Sequence, residues 1–263
     1  VAAVSLLIWA GSGLAEGGPG PGARGGAAEG AAEGKELHLA AAADLQPVMP
    51  VLAQAYEKQT GVKLVVSYGS SSALATQILN GAPFDAFFGA DFVFPEKVVA
   101  AGLADGKEPL PYAKGTLVLW SRRNLAAPLS MELLQDPRVT RVAIADEFHA
   151  PYGRAAYAAL RWLKIYDKVK NKLVVGENIA QTAQFVESGN AQMGFISLTL
   201  ASSAKFKAEG QYVLVPLVYP EIRQTAVVMK ASPRLAEARA FVEWVRSPKV
   251  QENLTQFGLE PVR

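Results

Sequence analysis

From Leu37 onward the chain alternates short apolar runs with amphipathic stretches. LHLAAAA (37–43) reads as a buried strand. Val48–Lys58 has helical spacing, with Val51, Leu52, Ala55 and Tyr56 on one face, and Gly61 ends it. Val62–Tyr68 is a second strand. Ala73–Asn80 predicts a helix closed by Gly81, Asp85–Gly89 a third strand, and Phe94–Ala101 a helix stopped by Gly102. This β-α-β-α-β rhythm predicts a parallel sheet covered by helices.

The second half continues in the same style without an evident internal repeat. Strands are expected at Thr116–Ser121, Val142–Ala145, Lys172–Val175, Met193–Ile196, Val213–Leu217 and Ala226–Met229. Helices are expected at Met131–Leu134, Gly153–Leu163, Ile179–Ser188 and Arg234–Arg246, followed by a terminal piece from Pro248 that Gly258 ends. About ten strands and as many helices in roughly 225 residues exceed one five-stranded sheet, so two α/β lobes are the economical arrangement. Pro109–Gly115 and Val218–Thr225 break the periodicity and carry Pro, which makes them the expected crossings. The expected lobes are 37–112 with 224–263, and 113–223.

Ahead of the folded part, residues 1–15 form an apolar run ending in small residues. The run is shorter than the roughly 20 residues that span a bilayer. It reads as the apolar core and cleavage site of a secretory signal, with cleavage expected after Ala15; a buried core strand is the alternative. Residues 16–36, almost wholly Gly, Ala, Glu and Pro, suit a disordered tether. An exported protein is expected.

Composition narrows the chemistry. The 263 residues include no Cys and two His, which removes disulfides, thiolate metal sites and cysteine nucleophiles and leaves little for a multi-histidine metal site. With 26 Lys+Arg against 24 Asp+Glu there is no excess of base to mark a nucleic-acid binder. No GxSxG elbow, phosphate loop or dinucleotide fingerprint occurs, and Ser71 has no assignable histidine partner, because His149 would lie across the cleft. A binding protein is expected, not an enzyme.

In open α/β folds ligands sit beyond the carboxyl ends of strands, where helix N-termini offer free N–H groups. Here those positions read Ala43-Asp44-Leu45, Gly69-Ser70-Ser71-Ser72, Asp146 to Gly153, Gly176-Glu177-Asn178-Ile179 and Ser197-Leu198-Thr199. Hydroxyls and bare amides dominate, and both suit a small oxyanion. Taken alone, GSSSA is equally an ordinary helix N-cap.

The stretches AAAADL (40–45), TGVKLVVSYGSSSALATQI (60–78), GAPFDAFFGAD (81–91), YAKGTLVLWS (112–121), HAPYG (149–153) and GNAQMGFISLTLA (189–201) together resemble the periplasmic molybdate-binding proteins of ABC transporters, the ModA family, across the whole folded part. The resemblance implies a two-lobe periplasmic-binding-protein fold of type II that closes on molybdate or tungstate and hands it to a membrane permease. It implies a periplasmic, monomeric protein with no cofactor, molybdenum being held only through the oxygens of its oxyanion. By the same resemblance the ligand-binding positions fall on Ser71, Tyr152 and Ile179. The first-lobe hydroxyl position falls on Ala43 or Asp44, and a second-lobe tyrosine position on Ser197; these two depart from the commonest pattern. Ser70 and His149 are further candidates.

Asp44 is the difficulty. A carboxylate about 4 Å from a dianion is repelled by several kcal/mol at an effective dielectric near 20. It is either a helix N-cap accepting from the Gln46 N–H, or, with Tyr152 and Glu147, an oxygen ligand of a hard cation such as Fe(III), or the acceptor for a protonated anion such as phosphate. Pro47 and Pro50 leave the helix start open. His149 either approaches the cleft or caps backbone. Lys114 and Arg154 are expected to flank the cleft and raise the anion on-rate. Arg122 and Arg123 read as a solvated edge, and Trp162 and Trp244 as core.

Overall fold

The structure, a computed structural model, describes residues 36–124 and 128–262. The expected signal segment, and the tether up to residue 35, lie outside the described residues. Glu36, assigned above to the tether, already belongs to the first strand.

The first lobe opens with β1 (Glu36–Ala42), α1 (Met49–Thr60), β2 (Lys63–Gly69), α2 (Ser71–Leu79), β3 (Ala86–Gly89), α3 (Val93–Ala100) and β4 (Leu110–Gly115). The chain then builds β5 (Leu117–Arg122), β6 (Val142–Ala145), α4 (Pro151–Trp162), α5 (Tyr166–Val169), β7 (Leu173–Gly176), α6 (Ile179–Glu187), β8 (Met193–Ser197), α7 (Leu198–Ala201), α8 (Ala204–Glu209) and β9 (Gly210–Leu214). It returns through β10 (Ile222–Val228), α9 (Leu235–Arg246), α10 (Pro248–Leu254) and β11 (Leu259–Glu260).

Two sheets result, ordered β11-β4-β10-β3-β1-β2 and β7-β6-β8-β5-β9. β1 runs parallel to β2 and β3, and β6 parallel to β7 and β8, as helical crossovers require. Both sheets are nevertheless mixed. β10 is antiparallel to β3 and β4, and β5 antiparallel to β8 and β9, because β5 and β10 enter from the other sheet with no crossover helix to reverse them.

The crossings are shorter than the sequence suggests. Pro109–Gly115 is not a loop but mostly β4, and only Thr116 separates β4 from β5 of the second sheet. Pro111 is tolerated because β11 pairs only with Gly115 and Lys114, and the β10 register shifts at Gln224/Thr225, opposite it. The return crossing is 215–221, and Ile222–Thr225 is strand. Val213–Leu217 likewise shifts to β9, leaving Leu217 outside the strand and exposed.

One core fills the second lobe and takes in Ala42, Ala43 and Ala90 from the first, so the lobes pack together along the cleft. Two others cover the faces of the first sheet, around Leu39, Phe88 and Phe241 and around Leu74, Phe87 and Phe94. The buried stripe of α1 is Met49, Leu52 and Tyr56; Val51 is 46% exposed and Ala55 also faces solvent. The helix starts at Met49 with Pro50 in its first turn, where no N–H is needed. Trp162, expected in the core, is 65% exposed at the end of α4. Trp244 is half-buried against Tyr56 and Phe241, and its indole N–H donates to Gln59 (2.9 Å).

Candidate functional site

Three helices of eight residues or more begin at strand ends facing one cavity, and their caps decide which N–H groups stay available. At α2, Ser70 Oγ accepts from Ala73 N–H (3.2 Å), and Ser72 N–H donates across to the His149 carbonyl (3.3 Å). That leaves the Ser71 N–H at the first helical position. At α6, Asn178 Oδ1 takes the N–H groups of Ala180 and Gln181 (both 3.0 Å), leaving that of Ile179. At α4, Pro151 occupies the first position and has no N–H, so Tyr152 and Gly153 carry the free ones. The cavity is lined by Ala43, Asp44, Ser70, Ser71, Tyr152 and Ile179 together with neighbours from the same strand ends. Its volume is about 10 Å³, close to one water-sized sphere.

Ser71 is buried, and its Oγ accepts from the Ala90 N–H (3.0 Å), so its own proton is free to point into the cavity. Asp44 is fully buried and caps nothing. It lies inside a short 3-10 turn, Ala43–Leu45, whose preceding residue makes no side-chain cap, and Gln46 N–H bonds the Ala43 carbonyl instead. The N-cap reading fails because the chain turns too tightly there for the carboxylate to reach back. Its Oδ2 accepts from Tyr152 Oη (3.1 Å) and Gln224 Nε2 (2.5 Å), while its Oδ1 is buried with no partner. Tyr112 Oη donates to Gln224 Oε1 (2.7 Å), which turns the Gln224 amide N–H toward Asp44 and Tyr152. Burial, stronger than these hydrogen bonds, pushes the Asp44 carboxyl up to about 7. Burial, and next the Asp44 charge, push the Tyr112 and Tyr152 hydroxyls well above the usual phenol range, so both stay protonated donors.

Two expected residues lie off the cavity wall. Ser197 Oγ pairs with Thr199 Oγ1 (2.7 Å) at the start of α7, and Thr199 Oγ1 in turn donates to the Asp44 carbonyl (2.7 Å). Ser197 thus reaches the site only through Thr199. His149 is exposed, with Nδ1 3.0 Å from Asp146 Oδ1, and contributes its backbone carbonyl to α2. Glu147 pairs with Arg161 (2.8 Å) and does not line the cavity with Asp44; among the described residues no three His, Asp or Glu gather as a metal site. Lys114 bonds Glu221 (2.6 Å) and Arg154 bonds Asp91 (3.0 Å), so neither offers an unpaired charge to the cleft. Arg122 and Arg123 donate to exposed backbone carbonyls at Glu187, Lys207 and Ala208.

Gln224 and Tyr112 were not among the expected residues, and Thr199 and Asn178 stood only within the strand-end stretches, without a role of their own. Gln224 had a signal: in IRQTAVV (222–228), alternation puts Ile222, Gln224 and Ala226 on one face of a buried strand. Asn178 had one too, as a cap residue immediately before a helix.

Two α/β lobes joined by two crossings, with helix N-termini converging on a small cavity between them, define a periplasmic-type solute-binding protein. Residues 37–260 match the family described as bacterial extracellular solute-binding protein. The chain is 34% identical to the molybdate-binding protein ModA of Azotobacter vinelandii over 87% of its length and 91% of that protein. It is 35% identical to the ModA protein of Rhodobacter capsulatus, over 87% of this chain and 89% of that one. A solved A. vinelandii periplasmic molybdate-binding protein superposes with a TM-score of 0.81 at 32% identity, covering 86% of this chain and all of that one. The chain belongs to the ModA family of ABC-transporter solute-binding proteins, which capture solutes and catalyse no reaction.

Proposed function

We propose that the protein captures molybdate or tungstate between its lobes in the periplasm, as a monomer, and delivers the anion to a membrane permease. The observation that carries this reading is the convergence of the free N–H groups of Ser71, Tyr152 and Ile179, with the Ser71 hydroxyl, on one small cavity without an unpaired cation. Donors alone suit a fully deprotonated tetrahedral dianion. The similarity to two molybdate-binding proteins over most of their length supports the same ligand. In this reading Asp44, Ser70 and Ala43 complete the wall, 37–115 with 222–262 forms one lobe, and 117–214 forms the other.

The test is the melting temperature of the chain with molybdate, tungstate, sulfate, phosphate or ferric citrate at equal concentration. A ligand at 100 times its Kd adds about 2.7 kcal/mol, a visible shift. Molybdate and tungstate are expected to shift it and sulfate to do so least; a shift with ferric citrate or phosphate alone overturns the reading. Ser71→Ala is expected to weaken molybdate binding about ten- to a hundred-fold, about 1.5–3 kcal/mol for a hydrogen bond to a charged group. Calorimetry showing unchanged affinity would remove Ser71 from the donor set.

A further inference from the structure

The odd member of the cavity wall is a carboxyl group. The cavity's other polar groups include the free N–H groups of Ser71, Tyr152 and Ile179, yet Asp44 Oδ1 is an acceptor as a carboxylate, fully buried, and without a hydrogen-bond partner. Its sister oxygen is different. Oδ2 receives two donors, Tyr152 Oη and Gln224 Nε2, and the orientation of Gln224 is set by Tyr112 behind it. A proton on this carboxyl therefore belongs on Oδ1, and there it has no protein acceptor. A ligand oxygen in the cavity that Asp44 lines would supply one.

We propose that Asp44 receives the oxyanion as a carboxylic acid, its Oδ1–H donating to a ligand oxygen, so that capture is coupled to one proton. The proposal rests on the oxyanion reading above and names what one residue of that site does.

The surroundings of Asp44 hold no charge that would keep it ionised. α4 presents Tyr152, β4 Tyr112 and β10 Gln224, none of them cationic. α7 presents Thr199 to the Asp44 carbonyl, α2 gives Ser70 and Ser71, and the start of α6 gives Asn178 and Ile179. β2 ends in Tyr68 and Gly69, with the Tyr68 hydroxyl pushed up to about 12 by burial. Arg154 is held by Asp91, and His149 by Asp146. Burial accordingly lifts the Asp44 carboxyl to about 7 before any ligand arrives, and an adjacent dianion raises it further. The proton comes from bulk water when the free site is ionised, and is already in place when it is not.

The sign of the pH effect follows. A raised carboxyl in the folded state favours the fold at low pH, and that contribution is lost as pH climbs from the ordinary Asp range to about 7. For binding, the free site is protonated below about 7, so affinity is flat there. Above it, affinity falls about ten-fold per pH unit for a one-proton coupling, until the bound site also ionises.

The experiment is calorimetric titration of the full chain with molybdate at pH 6 and pH 8.5, in buffers of different ionisation enthalpy, for wild type and Asp44→Asn. The asparagine amide keeps a donor at this position and has no proton to gain or lose. Wild type is expected to take up close to one proton at pH 8.5 and almost none at pH 6, with Kd about ten-fold or more higher at pH 8.5. Asp44→Asn is expected to bind with a pH-independent Kd and no proton uptake. Its ligand-free melting temperature should gain on that of wild type as pH rises from 5 to 8. Binding by wild type with no proton uptake and no pH dependence overturns the proposal while leaving the oxyanion reading standing. So does a folded Asp44→Asn chain that has lost binding at pH 6. A folded wild-type chain that gives no heat with molybdate or tungstate at either pH overturns the oxyanion reading, and the proposal with it.

Discussion

Gly115→Ala is expected to lower oxyanion affinity about ten- to a hundred-fold and to cost the fold about 1–3 kcal/mol. A Cβ at position 115 would lie 2.1 Å from Tyr152 Oη, 2.8 Å from its Cζ and 3.2 Å from Gln224 Nε2. The backbone of β4 is paired on both sides at this residue, to Ile222 and to Leu259, so the strand cannot move aside. The phenol has to swing instead. It then leaves Asp44 Oδ2 and drags the wall of the cavity with it. The added Tyr152→Phe change, which removes the hydroxyl oxygen and leaves only the longer 2.8 Å contact to the ring, should recover part of the lost stability. Melting temperatures of the two variants decide it: a double variant no more stable than Gly115→Ala rules out this contact as the cause.

Gly153→Ala acts on the other side of Tyr152 and through backbone. Its Cβ would fall 2.3 Å from the Asp146 carbonyl oxygen and 2.4 Å from that of Ala145. Neither is the end of a flexible side chain, and β6 is paired to β7 and β8. The first turn of α4 must therefore withdraw from the strand end, at about 3 kcal/mol. That corresponds to a melting temperature lower by about 6–12 °C for a chain of this size. A change under about 2 °C would show that α4 has room to slide. Affinity should fall as well, since the Tyr152 N–H moves with the helix.

The elements most legible in the sequence were those whose signal is local. VAIA (142–145) is buried at all four positions and bounded by polar residues, and the observed strand has the expected ends. The helices beginning near Ser71 and Ile179 carry their own caps, Ser70 and Asn178, and came out within two residues of expectation at their starts. What failed depended on partners far along the chain. Pro109–Gly115 reads as a loop because two prolines interrupt it, and it becomes a strand because β10, over a hundred residues later, pairs with it. Asp44 has the sequence context of a cap. Its role is instead set by Tyr152 and Gln224, 108 and 180 positions away. Trp162 shows the limit of helical periodicity at a helix end, where the last turn overhangs the core that the earlier turns cover.

The single residue between β4 and β5 fixes how such a clamp opens. A link of one residue holds no slack, so an opening of the lobes would have to turn about Thr116. The second connection is tethered to the same point, because the Tyr219 hydroxyl accepts from Leu117 N–H (3.1 Å). Atoms near a pivot travel little for each degree of rotation, and those at the end of the lever travel far. Tyr152 Oη sits against Gly115, beside the pivot, so it and its partners Asp44 and Gln224 form the slow end of the lever.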